Sequence, residues 1–328
     1  MAKKLNLLVI SLVVLISLIG CSSQGTEGDG KSGKLVIYSA NGEEITDPIL
    51  AKFNEKYPDI KVEVINAGTG ELLARLKAEK ENTAGDVLWG GEIVSYELNK
   101  DLFEAYESPT DKDMIVKDPD NKWHAFSNLP QAIFVNTDLV KNESDYPKTL
   151  KELADPNGKW LAEGQIALAD PSKSGTGITI VKGIATLYDW DFVGEFLKNS
   201  KVLDGSTAMF NAVKDGELPV GFINEDLGAK WELLDLPVKM IYPEDGITNQ
   251  IDALGIVAGA KNLENAQAFI DFMGSKEVHE IVRNEVLRRS ARTDVEPPEG
   301  FVDLSNYNLI QADTISNEEI IEKFNELR

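Results

Sequence analysis

From Lys34 onward the chain alternates short β-rich runs with segments of helical period, and it does so twice. Lys34–Ser39 (KLVIYS) is a β-rich run, and Glu43–Tyr57 carries Ile45, Ile49 and Phe53 at helical spacing. Ile60–Ile65 (IKVEVI) alternates as a strand does. Gly70–Glu81 sets Leu72, Leu73 and Leu76 on one face of a helix, and Asp86–Trp89 is again a strand. Between about Phe134 and Leu254 the pattern starts over. Gln165–Ala169 is a strand, Gly177–Leu187 and Asp191–Ser200 are helices, and Ser206–Val213 is a short helix ended by Asp215-Gly216. Leu218–Ile223 and Val238–Tyr242 are strands, after which the chain closes on helices over Leu263–Gly274, Glu277–Glu285 and Asn317–Leu327. Alternation with short loops predicts α/β layers with a largely parallel sheet. Two such layers are either separate domains or the halves of one clamp.

The N-terminus is a different kind of segment. Lys3 and Lys4 precede an apolar stretch from Leu5 to Ile19, broken by Asn6, Ser11 and Ser17 and ending in Leu18-Ile19-Gly20-Cys21. A charged start, a short apolar core and small residues at the cut describe a secretory signal peptide. The stretch is shorter than the ~20 apolar residues that span a bilayer. The quartet before the cut resembles the bacterial lipobox, which implies cleavage after residue 20 and acylation of Cys21. Acyl chains contribute about 0.8 kcal/mol per buried CH₂, so two or three hold a protein firmly to a membrane surface. Cys21 is the only cysteine of 328 residues, which excludes an intramolecular disulfide and any multi-cysteine metal site. Residues 21–34 are rich in Gly, Ser and charge and read as a flexible tether, on the order of 20 Å end to end.

The formal net charge is −22, from 33 Lys and Arg against 55 Asp and Glu. That leaves no basic footprint for nucleic acid. The net field says little about a ligand's charge, because a site is set by local dipoles.

In open α/β sheets, ligands sit beyond the carboxyl ends of strands, where loops lead into helix N-termini. Four such loops stand out: Ser39-Ala40-Asn41-Gly42, Gly68-Thr69-Gly70, Trp89-Gly90-Gly91-Glu92, and the run from Asp170 to Gly177 (DPSKSGTG). Small hydroxyl and glycine residues there expose backbone N–H groups at the positive end of a helix, a place suited to phosphate or carboxylate. Each loop taken alone also reads as plain helix capping. Gly68-Thr69-Gly70 lacks the third glycine of a dinucleotide fingerprint, and no Gly-rich Lys-Ser/Thr phosphate loop occurs.

Catalysis finds little support. His124 and His279 are the only histidines; His279 reads as a surface residue among charges and His124 as structural. No Gly-x-Ser-x-Gly elbow and no His-Glu-x-x-His helix is present. Glu225-Asp226 could do acid–base work, but nothing in their setting favours it.

The runs LVIYSANGEE, AGTGELLARLKAEKENTAGDVLWGG, ADPSKSGTG, VKDGELPVGFINED and AFIDFMGSKEVHEIV together resemble the extracellular solute-binding proteins of ABC importers. The branch they are most similar to takes iron(III), phosphonates or sugar phosphates. The resemblance implies the type II periplasmic binding protein fold: two α/β lobes, two hinge strands and a helical C-terminus. Lobe one would hold residues 35–133 and 255–328, and lobe two residues 134–254. It implies no enzyme activity, no cofactor and a monomer. It also implies a small-molecule ligand, partnership with a permease and its ATPase, and an extracytoplasmic location on the lipid of Cys21. Ferric relatives use adjacent tyrosines where this chain has Asp226 and Leu227, and a histidine in the first loop, where it has none. Relatives with a Trp-Gly-Gly run and a Ser-Gly loop look like organophosphate or phosphonate binders. The expected site is therefore Ser39, Asn41, Thr69 and Gly91 from lobe one, with Ser174, Gly175, Thr176, Thr207, Glu225 and Asp226 from lobe two. An alternative within the same fold is a hard cation held by Glu92, Glu225 and Asp226.

Overall fold

The computed structural model describes residues 31–155, 164–310 and 315–328. The expected signal peptide, Cys21 and the tether up to residue 30 lie outside the described residues.

The first lobe begins with β1 (Gly33–Ser39), α1 (Glu43–Lys56), β2 (Ile60–Asn66), α2 (Thr69–Ala78), β3 (Val87–Glu92) and the short α3 (Ile93–Glu97). The three strands are parallel in the order β2-β1-β3. β1 lies between two neighbours and buries Leu35, Val36, Ile37 and Tyr38 in succession, whereas β2, at the edge, alternates Ile and Val with Lys and Glu. Helix α1 turns Ile45, Ile49 and Phe53 inward.

β4 (His124–Asn136) then runs 13 residues out of this lobe. After the short α4 (Leu150–Ala154) come β5 (Ile166–Ala169), α5 (Gly175–Leu187), α6 (Trp190–Lys198), β6 (Ser200–Leu203) and α7 (Ser206–Lys214). β7 (Val220–Asn224), α8 (Glu225–Leu233) and β8 (Val238–Ile241) complete the second lobe's own run. β9 (Ile247–Ile256) returns to the first lobe, where α9 (Leu263–Met273), α10 (Lys276–Asn284) and the two-residue β10 (Arg289–Ser290) follow. Phe53 meets Phe269 and Phe272 of α9 at ring distances of 5.2 and 5.3 Å, which ties the returning segment into the first core.

The fold is two-lobed α/β, as expected, but the sheet is mixed rather than largely parallel. β5 pairs β6 and β7 in parallel, while β9 pairs β3 and β4, and β4 pairs β7 and β8, all antiparallel. The antiparallel ladders all involve the two long connecting strands. One half of β4, His124–Pro130, pairs with β9; the other half, Gln131–Val135, pairs with β7. One strand therefore serves both lobes.

The C-terminus also departs from expectation. Residues 255–328 were expected whole in lobe one, yet β11 (Leu309–Ile310) pairs with β9 at Ile247 and Thr248. The last helix, α11 (Asn317–Leu327), buries Ile320 and Phe324 in the core of the second lobe with Phe196 and Ile180. The apolar stripe of α11 has its seat against α5 and α6, so the chain crosses between lobes a third time, through residues 291–308.

Candidate functional site

In lobe two the carboxyl ends of β6, β5 and β7 lie side by side, and each leads into a helix: α7, α5 and α8. Their first turns touch through hydroxyls and amides. Ser174 Oγ accepts from Gly177 N at 3.0 Å, capping α5, and lies 2.7 Å from Ser206 Oγ in the first turn of α7. Thr176 Oγ1 donates to Asn224 Oδ1, the residue preceding α8, at 3.5 Å. Ser174, Gly175 and Thr176 are thus gathered with the starts of α7 and α8. Opposite Asn224 in the β4–β7 register, Gln131 is buried, and its Nε2 has no partner among the described residues. Of these three helices only α8 carries acids in its first turn; α5 and α7 carry none.

Lobe one has strand-end groups of its own. Asn41 N donates to Ser39 Oγ at 3.1 Å, and Asn41 Nδ2 donates to the Trp89 carbonyl at 3.2 Å. Gly90 and Gly91 sit at φ of +103° and +88°, inside a register shift between β3 and β9. A Cβ on Gly91 would lie 2.6 Å from Thr69 Cγ2, so glycine lets β3 pass close to the start of α2. Ser39 and Asn41 form one group, and Thr69 and Gly91 another.

A cavity of about 200 Å³ joins the lobes. Thr207, Phe210, Asn211, Asn224, Asp226 and Trp231 line it from lobe two, with Glu44 of α1 and Arg288 from lobe one. Thr207 and Asp226 are therefore brought into the cleft together. Glu225 is not: its carboxylate takes a two-pronged contact from Arg289, at 2.7 and 2.8 Å, and a hydrogen bond from Tyr242 Oη at 2.6 Å. It is 1% exposed, and burial raises its pKa despite the guanidinium beside it. Arg289 also lines a second hollow of about 410 Å³ with Asn128, Ser290 and Phe301.

Asp226 is engaged by Arg288, with Nε at 2.7 Å and Nη2 at 2.6 Å from Oδ2, while Nη1 reaches Asp252 Oδ2 at 3.2 Å. Burial works against the charge of Arg288, but Asp226 and Asp252 outweigh it and hold the guanidinium firmly protonated. Burial raises the pKa of Asp252. Glu92 lies 3.8 Å from the buried ammonium of Lys182 on α5, which donates to Asn317 at 2.9 Å. Each of the three carboxylates considered for a cation thus faces a basic side chain from the opposite lobe.

The arginines were the part missed from the sequence. Leu287-Arg288-Arg289-Ser290-Ala291-Arg292 puts three arginines within five residues of a chain whose net charge is −22, and that local reversal was the signal to follow. His279 corrects another expectation. It is fully buried, not on the surface; Nδ1 pairs with Ser290 Oγ at 2.7 Å, and burial, helped by Arg292, pushes its pKa down to about 3. His124 is buried against Asp111 at 2.8 Å, away from the cleft cavity.

The family model for bacterial extracellular solute-binding proteins matches residues 35–285. A probable ABC transporter periplasmic-binding protein of Sinorhizobium fredii is 29% identical over 256 residues, which is 74% of this chain and 70% of that protein. Iron uptake protein A1 of Synechocystis is 28% identical over 287 residues, covering 80% and 77%. Among solved structures, the periplasmic binding protein AfuA of Actinobacillus pleuropneumoniae, bound to fructose-6-phosphate, superposes with a TM-score of 0.77 at 27% identity, covering 90% of this chain and 97% of that one.

Proposed function

The chain belongs to the bacterial extracellular solute-binding protein family, and we propose that it is the capture component of an ABC importer, closing its lobes on a small anionic organophosphate or phosphonate. The observation that carries the ligand class is the pair of helix starts at α5 and α7. They meet at Ser174 and Ser206, and neither has a resident acid in its first turn. Their exposed N–H groups carry about half a positive charge at each terminus, and the hydroxyls of Ser174, Thr176 and Thr207 add donors that can turn to an anion. Gln131 Nε2 is a further buried donor beside them. The relative solved with fructose-6-phosphate supports the same class.

The protein works by binding and not by catalysis, through hinge motion about β4 and β9 biased by contacts made to both lobes at once. Ser39, Asn41, Thr69 and Gly91 face the solute from lobe one, and Asp226 accepts from its hydroxyls. Glu225, turned onto Arg289, acts as a brace behind the site. Acyl chains on Cys21 hold the monomer at the outer face of the cytoplasmic membrane, where the closed form meets permease and ATPase.

A second reading, a hard cation on Glu92, Glu225 and Asp226, is motivated by the relative named for iron uptake. The geometry supports it less, because Lys182, Arg289 and Arg288 already answer those charges. A thermal-shift screen of the chain from Ser22 onward, stripped of co-purified ligand, separates the two. The panel holds hexose phosphates, phosphoglycerates, aminoethylphosphonate, inorganic phosphate and ferric citrate. A solute at 100 times its Kd adds about 2.7 kcal/mol. Stabilisation by a phosphate ester is expected; stabilisation by iron alone, reversed by a chelator, overturns the ligand class.

A further inference from the structure

We propose that Arg288 determines the class of solute admitted: its guanidinium is a resident cation between Asp226 and Asp252, and it bars hard metal ions from oxygen ligands that would otherwise hold one. The inference rests on the cleft assigned above as the solute site.

Asp226 comes from the first turn of α8 and Asp252 from β9, two elements far apart in sequence, and both carboxylates are buried. Asp252 takes Gln250 Nε2 on Oδ1 and, at 3.5 Å, Ser127 Oγ on the Oδ2 that Arg288 also meets. Glu44 shares the cavity wall with Asp226 and Arg288. Oxygen ligands from two or three carboxylates, fixed by a surrounding shell, are what calcium-like and trivalent ions select. Here that place is filled by a planar cation whose Nε, Nη2 and Nη1 serve the two carboxylates. Nε and Nη1 each donate one hydrogen bond to those carboxylates and Nη2 lies against Asp226 Oδ2, which leaves N–H groups of Nη1 and Nη2 to donate to a solute oxygen. One residue thus removes a metal site and supplies donors suited to an anion.

Arg289 does not share this role. It grips Glu225 away from the cleft cavity, against Phe301 and the Val302 carbonyl. The neighbouring arginines divide the work between selection and bracing.

The test is terbium(III) luminescence sensitised by Trp231, which lines the same cavity. Arg288→Gln is expected to bind terbium at least about tenfold more tightly than wild type, because a buried carboxylate pair without its counterion is strongly disfavoured. The gain should vanish with Asp252→Asn in the same background. Arg288→Lys, which keeps the charge, should fold and stay as unresponsive as wild type. Should Arg288→Gln unfold without metal, terbium is expected to restore it; a variant that folds neither with nor without terbium counts against the proposal. Equal terbium affinity in wild type and Arg288→Gln overturns it. Glucose 6-phosphate titrated into wild type in parallel keeps the two readings apart. Loss of that response with the terbium gain intact sinks only the organophosphate assignment, and the reverse pattern sinks only the role of Arg288.

Discussion

Both lobes surround the cleft with the same unit, a parallel strand whose end leads into a helix, yet they charge it differently. In lobe one, α1 opens with Glu43 and Glu44, and α2 carries Glu71 in its first turn. In lobe two, α5 and α7 open with no acid, and the acids of α8 are met by arginines reaching over from lobe one. A helix start with its own carboxylate has its dipole answered internally; one without it is free to answer a ligand. On the function proposed above, an anion settles at long helices whose first turns lack an acid, and a net charge of −22 does not bear on it.

The contrast can be broken most forcefully at its cross-lobe braces. Arg289→Ala leaves Glu225 buried without its counterion, with Tyr242 Oη still donating to it, and we expect a loss of about 3–5 kcal/mol in urea unfolding. Phe324→Ala should cost about 3–5 kcal/mol as well. Hydrogen exchange would tell whether the last helix belongs to the second core: protection should fall first in α5 and α6 and not in α1 or α9.

Acid should find the first lobe. His279 is buried neutral with its pKa pushed down to about 3, whereas the unfolded side chain titrates near the ordinary value of 6.5. The unfolded state binds the proton first, so stability is whole above pH 6.5 and falls as pH drops toward 3. Between pH 7 and pH 5 that amounts to about 2 kcal/mol from this one group. A His279→Leu variant should show a urea midpoint less sensitive to pH over that range, and an unchanged slope would refute the attribution.

Smaller effects separate the two halves of the site. Ser174→Ala with Thr176→Ala should weaken a phosphate ester at least about tenfold by calorimetry, the factor set by about 1.4 kcal/mol. Ser39→Ala should cost less, since Ser39 ends β1 and stands outside the helix starts proposed to hold the anion. Ser174→Ala alone should lower stability by about 1 kcal/mol through its lost cap.

Much of this was legible from the pattern of residues. The strand and helix periods of Ile60–Asn66 and Thr69–Ala78 follow from local side-chain spacing, and the helix-start loops from the glycine and hydroxyl residues that must stand there. What could not be read locally is what depends on distant pairing. β4 contains Pro130 and changes partners midway, so its 13 residues show no single period. Helix α11 has an amphipathic stripe, but a stripe does not name the core it will cover. Arg288 and Arg289 lie more than sixty residues after Asp226 and Glu225, and only the fold puts them opposite one another.

The third crossing, through residues 291–308 into β11 and α11, bears on the entropy of the empty protein. Two covalent links allow one lobe to swing and also to slew about the link axis. A third, paired with β9 at Ile247 and held by Arg289 at the Val302 carbonyl, would remove much of the slewing. The open state would then contain fewer arrangements to be frozen out when a solute binds. Freezing out such freedom strongly opposes association, so a hinge narrowed in this way lets a small ligand with few contacts close the protein.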